Sequence, residues 1–366
     1  MTVENTTQQR SRRAGWVLPA TFTAVLLYLL LMIALLRPVI TTSVNYQIPE
    51  RQTGRPVQAL YQVEAAAQAN GWTPELSWLA GDLWKEAGQP QVALPYWLAA
   101  AATIDDASLW QDIAKAATDA ADWPVAVGAW DRVAALSPQN TAAQFQRGLL
   151  MAALDPEAAL DSLAHARQDI AYQEISDALR AAITGAADDI HRRTRVALVF
   201  VERELWLYAH LAFEQMVMNG TDTPLVEAYY GLATDQIGGN GDAFVYAAVQ
   251  RAPDDPQVRL LEGLHLRARR DDAGSIAAFT AAAALDPTSP ALLAELGTAY
   301  RLAGDFASAR HWYEQAVTLS NGAAPFTQLL QTLTTDEQEV LSNLGLNLDG
   351  ENQEIPVTPE ATADPA

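Results

Sequence analysis

The chain has 366 residues, half of them apolar, with 44 acidic against 23 basic side chains and a net charge of −21. That balance argues against general affinity for nucleic acid or anionic lipid, because both need cationic surface. There is no cysteine, so disulfides, thiolate metal sites and cysteine nucleophiles are excluded.

Residues 1–14 form a short N-terminal stretch carrying Arg10, Arg12 and Arg13 against Glu4. "GWVLPATFTAVLLYLLLMIALLRP" follows, and it is uncharged from Trp16 to Leu36. About 20 helical residues cross a hydrocarbon core of about 30 Å, so residues 15–37 are expected to form a transmembrane helix. Trp16 and Arg37 suit its two interfaces. A cleaved signal peptide is the rival reading, but its apolar region is usually shorter and ends at small residues. The upstream arginines place the N-terminus in the cytoplasm and the rest outside a plasma or inner membrane. Arg37, Arg51 and Arg55 weaken that contrast, which leaves a cytoplasmic domain as the alternative. Residues 38–55 read as a linker.

"PVQALYQVEAAAQANG" (Pro56–Gly71) reads as a leading helix. A repeat then follows. "PQVRLLEGLHLRARRDDAGSIAAFTAAAALDPTS" (Pro256–Ser289) aligns without a gap on "PALLAELGTAYRLAGDFASARHWYEQAVTLSNGA" (Pro290–Ala323), pairing Gly263 with Gly297, Phe279 with Tyr313 and Ala282 with Ala316. Upstream copies are Pro74–Asp106, with Gly81, Trp84, Ala93, Trp97 and Ala100, and Ala107–Asn140, with Ala114, Ala126, Trp130 and Pro138. Another begins at Thr141 with Gly148 in register. Thr194–Val217 matches through Ala197, Phe200, Trp206, Ala209, Phe213 and Met216. The segment from Val226 matches through Gly231 and little else, and residues 168–189 read as an extra helix.

This pattern resembles the tetratricopeptide repeat (TPR) family, whose period is 34 residues. The resemblance covers roughly residues 72–323 and implies an all-α, TPR-like α-solenoid of antiparallel helix pairs. Physically, small residues let two backbones approach while large rings fill the space between neighbouring helices. Gly304-Asp305 is expected to turn the chain inside the last copy, with Asp capping the second helix. The folded region is expected to span 56–345, ending in one or two helices that cover the last repeat. Residues 346–366, acidic and without a cation, are expected to be disordered.

Little points to chemistry. His165, His191, His210, His265 and His311 are scattered without zinc-ligand spacing. "GGNGD" (Gly238–Asp242) lacks the Lys-Ser/Thr of a phosphate loop and reads as a loosened turn. Acidic pairs at 188–189, 254–255 and 271–272 suit helix starts. "HRRTR" (His191–Arg195) reads as a solvated helix face or as a site for an acidic partner. No cofactor, metal or catalytic residue is expected.

The resemblance also implies where a protein or peptide partner would sit: on the first helix of each pair. The candidate groove residues are Trp78, Asp82, Lys85, Gln111, Lys115, Phe145, Leu149, Leu264, Arg267, Thr298 and Arg301. Trp78 and Asp82 would not grip a C-terminal carboxylate, so a mixed apolar groove is expected. The function expected is that of a non-enzymatic, membrane-anchored scaffold or adaptor in a cell-envelope assembly. The alternative is an accessory subunit or enzyme of envelope polysaccharide or protein processing, with a site in 168–255.

Overall fold

The computed structural model describes residues 56–221 and 223–343. The expected span 15–37, the linker 38–55 and the tail 346–366 lie outside these residues. Among the described residues no helix is long and apolar enough to cross a membrane.

The described residues form seventeen α-helices and no strand. In chain order these are α1 (Pro56–Asn70), α2 (Pro74–Glu86), α3 (Pro90–Ala101), α4 (Ala107–Asp119), α5 (Trp123–Leu136) and α6 (Thr141–Leu154). Then come α7 (Ala159–Ala166), α8 (Ile170–Thr184), α9 (Asp189–Glu202), α10 (Trp206–Met218), α11 (Pro224–Gln236) and α12 (Asp242–Arg251). The last are α13 (Pro256–Ala268), α14 (Asp272–Leu285), α15 (Pro290–Leu302), α16 (Phe306–Leu319) and α17 (Ala324–Asn343). They divide into two compact units. One comprises 56–151 with 161–176, and the other 152–160 with 177–343.

Each unit is a TPR-like stack of helix pairs, such as α2 with α3, α4 with α5, α13 with α14 and α15 with α16. The pairs start alike. Thr73, Thr223 and Ser289 each accept a hydrogen bond from the third amide beyond them, and a proline follows each at the first helical position. Proline there loses no intrahelical bond. The acidic pairs behave as expected: Asp188, Asp255 and Asp271 cap α9, α13 and α14. Asp305 likewise accepts from Ser308 N at 3.0 Å; the Ser308 hydroxyl first, and then this amide, hold its carboxyl below the usual range.

The turn between the two helices of a pair has one recurrent backbone. Gly88, Ala121, Glu204, Gly238, Arg270 and Gly304 all adopt positive φ, from 55° to 84°. Glycine takes this conformation freely, whereas the other three pay a steric penalty.

Close backbone approach supplies the core. A Cβ on Gly81 would lie 2.4 Å from Trp97, one on Gly263 2.5 Å from Phe279, and one on Gly297 2.7 Å from Tyr313. Trp97, Trp130, Phe213, Phe279 and Tyr313 are fully buried. The middle of the chain keeps the plan with smaller parts. In α7, only eight residues long, Leu163 stands against Gly148; in the ten-residue α12, Val245 stands against Gly231. The extra helix expected in 168–189 is α8.

A single helix, α17, ends the described chain. Leu333 is buried against Ala309 and Tyr313, and Phe326 and Leu329 pack beside α15. Two ion pairs pin it, Arg301–Asp336 at 2.6 Å and Arg310–Glu337.

Candidate partner groove

The second unit holds an open hollow of about 250 Å³. Trp206 at the start of α10, Leu232 and Gln236 of α11, and Leu264, Arg267 and Ala268 of α13 line it. Trp206, Leu225, Tyr229 and Leu264 pack onto the core formed by Ala228, Leu232, Val245 and Leu261, so the walls are fixed from behind. The one cation in the lining is neutralised: Arg267 pairs with Glu295 of α15 at 2.6 Å and lies 5.5 Å above the Phe279 ring. The hollow therefore offers apolar walls, one amide and no net charge.

Of the sequence-expected groove residues, Leu264 and Arg267 line this hollow together. Several others are engaged in packing or pairing within the chain. Phe145 and Leu149 are buried rather than presented. The extra helix α8 covers this position, where Tyr172 stacks on Phe145 with ring centres 4.5 Å apart. Asp82 accepts a hydrogen bond from Trp97 Nε1 at 3.2 Å, and Thr298 Oγ1 lies 2.9 Å from the Tyr313 hydroxyl. Each serves the buried ring of its own repeat. Lys85 pairs with Asp112 at 2.6 Å, and Arg301 with Asp336. Trp78 and Gln111 are half-buried, and Lys115 is exposed.

Lys85, Arg267 and Arg301 occupy equivalent repeat positions. Each meets a carboxylate on the first helix of the following layer: Asp112 of α4, Glu295 of α15 and Asp336 of α17. Partly exposed pairs like these contribute little to stability. In the hollow of the second unit, the pairing of Arg267 with Glu295 leaves no free cation in the lining to grip a carboxylate.

Beside the hollow lies a polar cluster that sequence reasoning missed. His265 of α13 has a nearly buried side chain, as does Asp235 at the end of α11. His265 Nδ1 meets Asp235 Oδ2, and its Nε2 lies 3.1 Å from Asp242 Oδ1. Arg269 bonds Asp242 at 2.8 Å and Asn240 at 2.7 Å. Asp235 also accepts from Gly241 N at 2.9 Å, and Asn240 from Asp242 N at 2.9 Å. "GGNGD" is thus a pinned turn, not a loosened one. A Cβ on Gly241 would stand 2.1 Å from Gly231 O, so only glycine lets this turn close on α11. The partners of His265 lie 30 and 23 residues away in sequence, beyond any local motif.

The basic knot "HRRTR" also acts inside the fold. Arg193 donates to Leu154 O at 3.1 Å and Arg192 to Ile183 O at 3.3 Å, while Arg192 also pairs with Glu157 at 2.8 Å. Cations on the last carbonyls of helices satisfy groups the helices leave unpaired. His191 bonds the capping Asp188 at 2.7 Å.

On the same unit, His210, Tyr230 and Phe244 form a row of rings, with centres 5.0 and 4.5 Å apart. Burial lowers the His210 pKa, and Glu214 partly opposes this. Burial raises the Tyr230 hydroxyl, with Glu214 adding to the shift. Among the described residues no group of three or more His, Asp or Glu side chains is arranged to hold a metal ion.

No family model matches the sequence, and no curated protein sequence matches it. Solved structures of similar helical build include a tetratricopeptide repeat protein from Parabacteroides merdae, at 16% identity over 70% of this chain and 96% of that one, with a TM-score of 0.31. YrrB, described as a TPR protein with an unusual peptide-binding site, shows 15% identity over 56% of this chain and 97% of its own, with a TM-score of 0.33. A human IFIT1 dimer with m7Gppp-AAAA shows 13% identity over 73% and 65%, with a TM-score of 0.38.

Proposed function

We propose that the protein is a non-enzymatic scaffold or adaptor that holds a protein segment in the groove of its second unit. The observation that carries this reading is the hollow between Trp206, Leu232 and Leu264, whose lining cation is already paired with Glu295. Apolar walls with a single amide, Gln236, suit an uncharged apolar side chain of a partner segment. The ionisable cluster around His265 supports the same reading: its members bond one another, and the side chains of His265 and Asp235 are withdrawn from solvent. Residues 15–37 would anchor the chain in a plasma or inner membrane by a single pass. The repeats would then face away from the cytoplasm, within a cell-envelope assembly.

A photo-crosslinking residue at Gln236 of the full chain, compared with one at exposed Ala284, tests the groove in intact cells. The expected result is a discrete adduct at Gln236 that is lost when Trp206→Ala is added. Identical adducts at both sites, or an adduct indifferent to Trp206→Ala, would refute it. Protease access to the repeats in intact against permeabilised cells tests the orientation.

A further inference from the structure

The helices α1 and α17 each pack one face on a neighbouring helix, and their opposite faces differ. The exposed positions of α17 carry Gln328, Gln331, Thr332, Thr335, Gln338 and Glu339, with no large apolar side chain exposed among its described ones. That is how a terminal repeat element keeps a stack soluble. By contrast, α1 exposes Tyr61 at 69% and Val57 at 52%, one turn apart, followed on the same stripe by Ala65. Around them stand Gln62 and Gln68. The fifteen residues of α1 contain one ionisable acid, the half-buried Glu64, and no base. In a chain of net charge −21, this helix presents a nearly uncharged outer face.

We propose that this face docks on the same face of a second copy of the chain, the two α1 helices packing antiparallel about a two-fold axis. Two copies repel each other over acidic surface, and a neutral face removes that penalty. With no cation, the face does not attract anionic lipid or an acidic partner. A two-fold contact must be self-complementary, and the residues present satisfy that condition. A large ring at Tyr61 has a small residue at Ala65 to receive it across the axis. With Tyr61 opposite Ala65 the axis passes near residue 63, which also sets exposed Val57 opposite the small Ala69 of the copy, and a glutamine amide, which both donates and accepts, needs no opposite charge to face across such a contact. The inner face, Ala59, Leu60 and Val63 clustered with Leu76, Leu79 and Leu83, holds α1 to its own chain and leaves the outer face for the copy.

The inference is independent of the groove reading, and the absence of cysteine makes its test clean. Single variants Tyr61→Cys, Ala65→Cys and, as a control on exposed α14, Ala284→Cys are made in the full chain. Each is treated in membranes with a short bismaleimide. Covalent homodimers are expected at Tyr61 and Ala65 and not at Ala284. Light scattering of the solubilised full chain should give a dimer mass, and Tyr61→Arg, which brings two cations together near the axis, should self-associate roughly tenfold more weakly. Its far-UV circular dichroism should stay unchanged, because Tyr61 is a surface residue. A monomeric wild-type mass would overturn the proposal. So would equal cross-linking at Ala284, adducts of α1 only with other proteins, or a Tyr61→Arg variant that dimerises as well as wild type.

Discussion

Gly81→Ala adds one methyl group where the structure has no room for it. The new Cβ would lie 2.4 Å from Trp97 Cδ1 and Nε1, more than 1 Å inside the ordinary contact distance of about 3.5–4.0 Å. The ring cannot retreat, being buried, with its Nε1 hydrogen-bonded to Asp82 at 3.2 Å. Overpacking costs about 1–3 kcal/mol, and this contact belongs at the upper end. Losing the Trp97–Asp82 bond adds about 1 kcal/mol. Alanine's better helix propensity returns about 1 kcal/mol. The net expectation is a loss of about 3 kcal/mol. Gly128→Ala is the matched control: it also lies inside a helix, α5, but its Cβ would meet nothing within 4 Å. It should gain up to about 1 kcal/mol. Urea unfolding followed by tryptophan fluorescence reads both, because seven of the ten tryptophans lie between residues 72 and 130. If Gly81→Ala unfolds at the same urea concentration as wild type, or above it, the account of glycine and ring as a close-packed pair fails.

The other expectations concern turns, the polar cluster and pH. Ala121→Gly, at a turn with φ 55°, should stabilise the first unit by roughly 1 kcal/mol, read as a raised melting temperature; an unchanged or lowered value would count against left-handed strain there. His265→Leu should cost roughly 3 kcal/mol, the low end for an opened buried pair, because Gly241 N and Arg269 still hold Asp235. Adding Asp235→Leu should recover part of that loss in denaturant titrations, and a strictly additive double variant would argue against coupling. His210 is the pH-sensitive element: burial lowers its pKa in the fold, so below the ordinary value of about 6.5 the unfolded chain binds the proton more readily. Stability should therefore fall as pH drops through that value, and His210→Phe should flatten the fall; identical pH profiles would refute this.

The fold was legible where each repeat keeps both halves of its packing pair. Gly81 with Trp97, Gly263 with Phe279 and Gly297 with Tyr313 stand at one constant spacing, so glycine and ring announce each other. The middle was faint for a physical reason: Leu163 and Val245 replace the ring, and the helices carrying them are short. The groove was legible in part. Leu264 and Arg267 do meet in one hollow, but Trp206 and Leu232, which complete it, lie on other helices, and nothing in the repeat pattern marks them as groove residues. Register alone placed Phe145 and Leu149 in the groove, and it gives no sign that α8 covers them. Asp82 and Thr298 read as free polar residues because a hydrogen bond to a ring 15 residues away leaves no trace in the pattern.

The joints between layers have a consequence for how such a chain can change length. A stack of similar modules should tolerate loss or gain of one module wherever the glycine–ring packing recurs, as it does in the α13–α14 and α15–α16 pairs. The joint after α11 is different, because it places an acid, Asp235, where other joints place Lys85 or Arg267, and it is answered by His265. Deleting Pro256–Ser289 would bring the Pro290–Ala323 copy to that joint, with Ala299 at the position of His265. A carboxylate would then be sealed in without its imidazole partner, at a cost of several kcal/mol. The order of the modules is thereby written into the chain as lock and key, and this boundary is where recombination between copies would be selected against.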